Sequence, residues 1–108
     1  MSELARKTCI SCEGGIPPLD PDGVAGYLSQ LQGWKVVDNH HLTKEYGFPD
    51  FLQALAAVNR VGQLAEDQGH HPDLSLTWGK VGVKIWTHKI DGLTESDFIL
   101  AAKIDEIV

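Results

Sequence analysis

The chain has 108 residues, too few for two ordinary domains and enough to bury a core without disulfides or a structural metal. Its 43% hydrophobic and 22% charged residues are the composition of a globular protein and not of a disordered one. Fifteen acidic against nine scattered basic residues give a formal charge of -6, which argues against a nucleic-acid surface, since phosphate binding needs gathered lysines and arginines. No apolar run approaches the roughly 18 residues of a membrane span. The first residues also lack the apolar core of a signal peptide, so a cytoplasmic location is expected.

Residues 1–19 read as an irregular arm, because Gly14-Gly15 followed by Pro17-Pro18 forbids a long helix or a central strand. Both cysteines, Cys9 and Cys12, fall in it as a CxxC. That spacing fits a redox pair, half of a tetrahedral zinc site, or two reduced thiols in a loose segment. Asp20-Pro21 then offers an N-cap with proline at the first helical position, and Val24, Tyr27, Leu28 and Leu31 recur at helical spacing until Gly33. Two strands follow, Trp34 to Asp38 and Leu42 to Phe48, joined through Asn39-His40-His41. Leu42, Tyr46 and Phe48 share one parity and are expected on one sheet face. His40 and His41 read as a solvated turn without an acidic or histidine partner.

Asp50 is the next N-cap. Phe51, Leu55, Val58, Gly62 and Ala65 mark a helical stripe running to Gln68, and Gly69 supplies a left-handed C-terminal cap. The alanine-rich surface and Gly62 predict close packing against a sheet. Leu74, Leu76 and Trp78 alternate with polar residues. Beyond a tight turn at Gly79-Lys80, Val81, Val83 and Ile85 alternate with Gly82, Lys84 and Trp86, which makes a β-hairpin. Its apolar parity faces the helices, leaving Trp86 and His88 on the opposite face or at its end. An open-face tryptophan there calls for cover from a ligand, the arm or another subunit. Asp91-Gly92 breaks the strand, and Thr94 with Asp97 three residues on is a capping-box variant. It opens a last helix whose apolar stripe is Phe98, Ala101, Ile104 and Val108. The order is helix-strand-strand-helix-strand-strand-helix, and the short hairpin links predict an antiparallel sheet.

The densest chemistry falls at Gly69-His70-His71-Pro72-Asp73. Imidazoles are the side chains best suited to proton transfer near neutral pH. Pro72 pushes His71 toward extended dihedrals, and neighbouring side chains of an extended segment point to opposite sides, so His70 and His71 are expected to do different jobs. The preceding helix ends just before His70. Its partial negative charge, with Glu66 and Asp67 in the last turn, favours a protonated imidazole there. If His88 folds back from the end of the hairpin, three readings are open. The histidines are polar loop and strand-end residues, or a three-histidine zinc site, or acid–base groups in a metal-free pocket walled by Trp86. Adjacent histidines with splayed side chains weigh against a shared metal. Asp97 is a capping or surface carboxylate in the first reading.

Glu66-Asp67-Gln68-Gly69-His70-His71-Pro72-Asp73-Leu74, the Val81-x-Val83-x-Ile85-Trp86-Thr87-His88 strand and Gly92-Leu93-Thr94-x-x-Asp97 together resemble the pterin-4a-carbinolamine dehydratase family. Weaker similarity runs through Gly33-Trp34 and Phe48-Pro49-Asp50-Phe51, and the arm from Cys9 to Pro18 is similar to that of bacterial members. The resemblance implies a single α+β domain over residues 20–108, with a four-stranded antiparallel sheet and helices packed on one face. It also implies a homodimer or homotetramer.

The implied reaction is dehydration of 4a-hydroxytetrahydropterin, the carbinolamine left behind by aromatic amino acid hydroxylases, to quinonoid dihydropterin. It carries a functional link to such a hydroxylase and needs neither a metal nor another cofactor. His70, His71 and His88 match the family's three active-site histidines, and Asp97 its supporting carboxylate. His70 is then expected to protonate the departing hydroxyl and His88, oriented by Asp97, to take a proton from ring nitrogen 5, though the sequence leaves the two roles interchangeable. His71 binds the pterin, Trp86 closes the pocket and Pro72 fixes the loop in this expectation. The partner is a small-molecule pterin, with no nucleic acid and no membrane. The family includes a dimerisation cofactor of a homeodomain transcription factor in animals, so a non-catalytic interaction module on the same fold is the alternative.

Overall fold

The computed structural model describes residues 3–7 and 18–108. In chain order its elements are α1 (Glu3–Arg6), α2 (Pro21–Leu28), β1 (Lys35–Val37), β2 (His41–Gly47), α3 (Phe51–Gln68), β3 (Asp73–Thr77), β4 (Lys80–Ile85) and α4 (Glu95–Ile107). Cys9 and Cys12 lie outside the described residues.

Local chemistry sets most of these boundaries. Asp20 caps α2 by accepting the Gly23 N–H at 2.8 Å, with Pro21 at the first helical position, where its missing N–H is not needed. Asp50 does the same for α3, accepting the Gln53 N–H at 2.8 Å, and Gly69 ends that helix with φ 64. Between β1 and β2 the turn is tighter than the sequence reading placed it. Asp38 and Asn39 take φ 54 and 53, and the His40 N–H donates to the Val37 carbonyl at 2.9 Å. This is a type I′ geometry, which short polar residues tolerate. His41 therefore leaves the turn and becomes the first residue of β2.

The four strands form one antiparallel sheet in the order β1-β2-β4-β3. Leu42 stands opposite Ile85 and Leu74 opposite Val83, so the apolar parity of the strands is gathered on one face. There Leu42, Val81, Val83 and Ile85 are at most 1% exposed beneath the helices. The α+β architecture expected from the sequence is thus the one observed.

Two helices bury more than the stripes expected from the sequence: in α3 the buried face is shifted toward the alanines, and in α4 the expected stripe is buried and widened. The buried side of α3 is Ala54, Ala57, Val61 and Ala65, while Phe51 and Leu52 are 45% and 74% exposed. Small side chains let the helix axis approach the sheet, Val58 packs at the margin of the core, and Phe51 and Leu52 are turned outward. Gly62 plays no part in that approach, because a Cβ there would meet no atom within 4 Å. In α4, every residue from Ser96 to Ala102 is buried, and so is Ile104, which exceeds a single stripe. The reason is α1, a helical turn within the segment read as irregular. Leu4 and Ala5 are buried with the core, the Lys103 ammonium donates to the Ala5 carbonyl at 2.7 Å, and Lys7 pairs with Glu95 at 2.7 Å.

At its other end α4 is tied to the β1–β2 hairpin through Asp105. That carboxylate accepts the Trp34 indole N–H at 3.0 Å, the Lys44 ammonium at 2.8 Å and the Tyr46 hydroxyl. Burial first, and then the Asp105 carboxylate, push the Tyr46 phenol far above its ordinary value, so it remains a donor at any physiological pH.

Candidate active site

The end of α3 delivers the first histidine. With Gly69 left-handed, its N–H donates to the Glu66 carbonyl and the His70 N–H to the Ala65 carbonyl, both at 3.1 Å, closing the helix and aiming His70 under the sheet end. The His70 side chain is 13% exposed, and its Nε2 lies 2.6 Å from Asp97 Oδ1. Asp97 itself is fully buried. Its second oxygen accepts the Thr87 hydroxyl at 2.9 Å and the Thr94 N–H at 2.8 Å, and the two threonine hydroxyls are 3.0 Å apart. A carboxylate removed from water is tolerated when its lone pairs are taken by donors, and here three donors take them.

This corrects the expected partnership. Asp97 orients His70, not His88, and it caps α4 at the same time. The cause is strand parity. Thr87 continues the inward row of Val81, Val83 and Ile85 and is 4% exposed, so its hydroxyl reaches Asp97, whereas His88, one residue on, is turned outward and exposed. Thr87 is a site residue that the sequence reading quoted within a motif but gave no role. Its parity, a polar residue on the buried row, was the available signal.

His71 behaves differently from its neighbour. Held beside Pro72, it is exposed, and its Nε2 lies 2.8 Å from Glu66 Oε1. Pro72 is partly buried where the chain enters β3. His88 rests against Trp86, with ring centroids 4.3 Å apart. Trp86 is half-buried, with the Lys84 ammonium 5.1 Å from its ring and His40 and His41 5.5 and 6.3 Å away.

His40 and His41 are therefore not a solvated turn. His40 Nε2 is 2.7 Å from Asp91 Oδ1 and its Nδ1 is 3.1 Å from His41 Nδ1. The turn geometry at Asp38 and Asn39 folds the pair back over the sheet end, which spacing along the chain did not reveal. Burial, the Lys84 ammonium and His40 push the His41 imidazole below the ordinary histidine value, with Asp38 opposing.

Among the described residues no three histidine, cysteine or carboxylate side chains are arranged to hold a metal ion, and no helix is long and apolar enough to cross a membrane. A separate trough of about 580 Å³ lies along the sheet, lined by residues that include Lys35, Thr43, Glu45, Ser75 and Lys84, and holds none of the site histidines.

A four-stranded antiparallel sheet covered by helices, with a buried carboxylate–imidazole pair at its end, defines a small α+β protein. The family model for pterin 4 alpha carbinolamine dehydratase matches residues 17–107, and the chain belongs to that family. A relative from Rubrobacter xylanophilus is 54% identical over 99% of this chain and all of its own length. Another, from Rickettsia bellii, is 57% identical over 94% of this chain and 91% of its own. Both are named, provisionally, as pterin-4-alpha-carbinolamine dehydratases. Among solved structures, a transcriptional coactivator/pterin dehydratase from Brucella melitensis superposes with a TM-score of 0.79 at 31% identity, over 83% of this chain and 97% of that one. A pterin dehydratase-like RuBisCO assembly factor of the alpha-carboxysome shares the fold, with a TM-score of 0.60 at 21% identity over 69% of this chain and 88% of its own.

Proposed function

We propose that this chain dehydrates a pterin-4a-carbinolamine to quinonoid dihydropterin by histidine acid–base transfer. His70 delivers a proton to the 4a-hydroxyl, which leaves as water when the C4a–O bond breaks. His88 takes the proton from nitrogen 5 as the C4a=N5 double bond forms. One proton is given and one taken, so the step balances without an oxidant or reductant. With Nε2 engaged by Asp97, His70 presents Nδ1 to the substrate. His71 and Trp86 bind the pterin, and Pro72 keeps the loop extended. In this reading the substrate is the carbinolamine released by an aromatic amino acid hydroxylase, and the enzyme works in the cytoplasm as a homodimer or homotetramer.

The observation that carries the reading is the fully buried Asp97 held 2.6 Å from a nearly buried imidazole. A cap alone does not need that imidazole. Mixing the full chain with freshly generated 4a-hydroxytetrahydropterin, and following quinonoid product, tests it. Acceleration over the spontaneous rate is expected, reduced by about 10²–10⁴-fold in His88→Ala. A folded protein that leaves the spontaneous rate unchanged overturns the proposal and favours the scaffold reading. That second reading draws on exposed Phe51, Leu52 and Trp78 and on the coactivator role named for the Brucella neighbour.

A further inference from the structure

A third imidazole–carboxylate contact lies beside His88 and has no place in the chemistry above. His40 closes the β1–β2 turn, and Asp91 sits in the turn after β4, far away in sequence. Their side chains meet at 2.7 Å. The His40 ring lies 5.5 Å from Trp86, at 40° to it, and Trp86 lies 4.3 Å from His88. Carboxylate, imidazole, indole and imidazole thus form a continuous row that ends on His88.

Asp91 holds its place in a backbone conformation that side chains disfavour, with φ 55. Neighbouring hydrogen bonds enforce it. The Asp91 N–H donates to the Thr87 carbonyl and the Thr87 N–H to the Gly92 carbonyl, both at 2.9 Å. Buried Gly92 packs against Pro18 so closely that a Cβ there would collide with the proline ring. Glycine at position 91 would relieve the backbone and forfeit the carboxylate. The pair itself is open to water, its side chains 30% and 86% exposed, so it adds little to folding. Its distinctive effect is geometric: it pins the β1–β2 turn to the turn that carries His88.

We propose that Asp91 and His40 are positioning residues, a clamp that fixes the Trp86 ring and through it the pose of His88. His41 supports the clamp, its Nδ1 3.1 Å from His40 Nδ1 and its ring 6.3 Å from Trp86. The charged groups around the row are Lys84 from β4, Asp38 from the β1–β2 turn and Asp91 itself. The inference rests on the reading that His88 transfers a proton.

The test uses the full chain with His40→Ala, Asp91→Gly and the conservative Asp91→Asn, read by steady-state dehydration and by NMR of the His88 ring. Asp91→Gly removes the carboxylate at a backbone position glycine adopts readily, which keeps the turn folded. Both disruptive variants are expected to lose about tenfold to a hundredfold in kcat with KM little changed, the cost of a reacting group displaced by about 1 Å. Asp91→Asn, which keeps a hydrogen-bond acceptor, restores part of the loss. The His88 ring resonances shift in His40→Ala, and His40→Ala costs nothing further in a His88→Gln background. Wild-type kcat, within about twofold, in both disruptive variants with unmoved His88 resonances overturns the clamp. If His88→Gln itself keeps full kcat, the role of His88 in the dehydration fails, and the resonances alone then decide the clamp: shifted ones support it, unmoved ones overturn it.

Discussion

Two adjacent histidines in this chain each meet a carboxylate at similar distance and in opposite surroundings. His70 and Asp97 are 2.6 Å apart with side chains 13% and 0% exposed, and His71 and Glu66 are 2.8 Å apart at 62% and 74%. Distance alone would rank them equal. An ion pair in water is screened and contributes at most about 1 kcal/mol, and often nothing. The buried pair is different in kind, because a carboxylate without water depends on every donor it has. Asp97 therefore couples the end of β4, the start of α4 and the loop after α3, whereas Glu66 decorates a helix end.

The contrast can be broken at its strong side first. Asp97→Ala leaves the Thr94 N–H without its acceptor, takes one of two partners from the Thr87 hydroxyl and removes the N3 half of the capping box of α4. It is expected to cost roughly 3–5 kcal/mol of folding free energy, measured by urea unfolding. A loss under about 1 kcal/mol would place Asp97 with the exposed pairs.

At the weak side, Glu66→Ala and His71→Ala are expected to stay within about 0.5 kcal/mol of the parent in the same unfolding experiment. Their effect falls on substrate, as a higher KM in His71→Ala with kcat nearly kept. A fall in kcat as large as that of His70→Ala would give both histidines the same job and erase the distinction.

The smallest effect concerns pH and sits in the histidine row beside Trp86. His41 is pushed below the ordinary histidine value of 6.5, so the unfolded chain binds a proton there more readily than the folded one. Stability is then fully present above pH 6.5 and falls as the pH drops through the folded-state value. His41→Gln is expected to flatten that part of a melting-temperature profile taken between about pH 7 and pH 5. An unchanged slope would mean that other groups set it.

Much of this is legible in the sequence itself. Asp50 and Gly69 fixed both ends of α3, and Pro72 was enough to separate His70 from His71, because capping and steric restriction act within a few residues. The partner of Asp97 was misassigned although the parity of β4 carried the answer, since Thr87 shares the inward row of Ile85 and His88 does not. The contact between His40 and Asp91 was out of reach. It depends on two left-handed residues in one turn and one in another, whose combined direction no local pattern encodes. The docking of α1 was equally hidden, because Leu4 and Ala5 are ordinary in a short polar segment until α4 offers them a surface. In α3 the alanine-rich surface correctly pointed to close packing on the sheet, with Ala54, Ala57 and Ala65 buried, whereas Phe51 of the apolar stripe is 45% exposed, because close approach selects small residues over bulky ones.

The most direct test of the account is the dehydration rate of Asp97→Asn beside His70→Gln, each compared with the parent protein on 4a-hydroxytetrahydropterin. If the buried pair performs the proton transfer, both variants remain folded and lose about 10²–10⁴-fold in turnover, and the double variant loses no more than the worse of the two. Folded variants that turn over substrate at the parent rate would leave His70 and Asp97 as a structural tie and contradict the account.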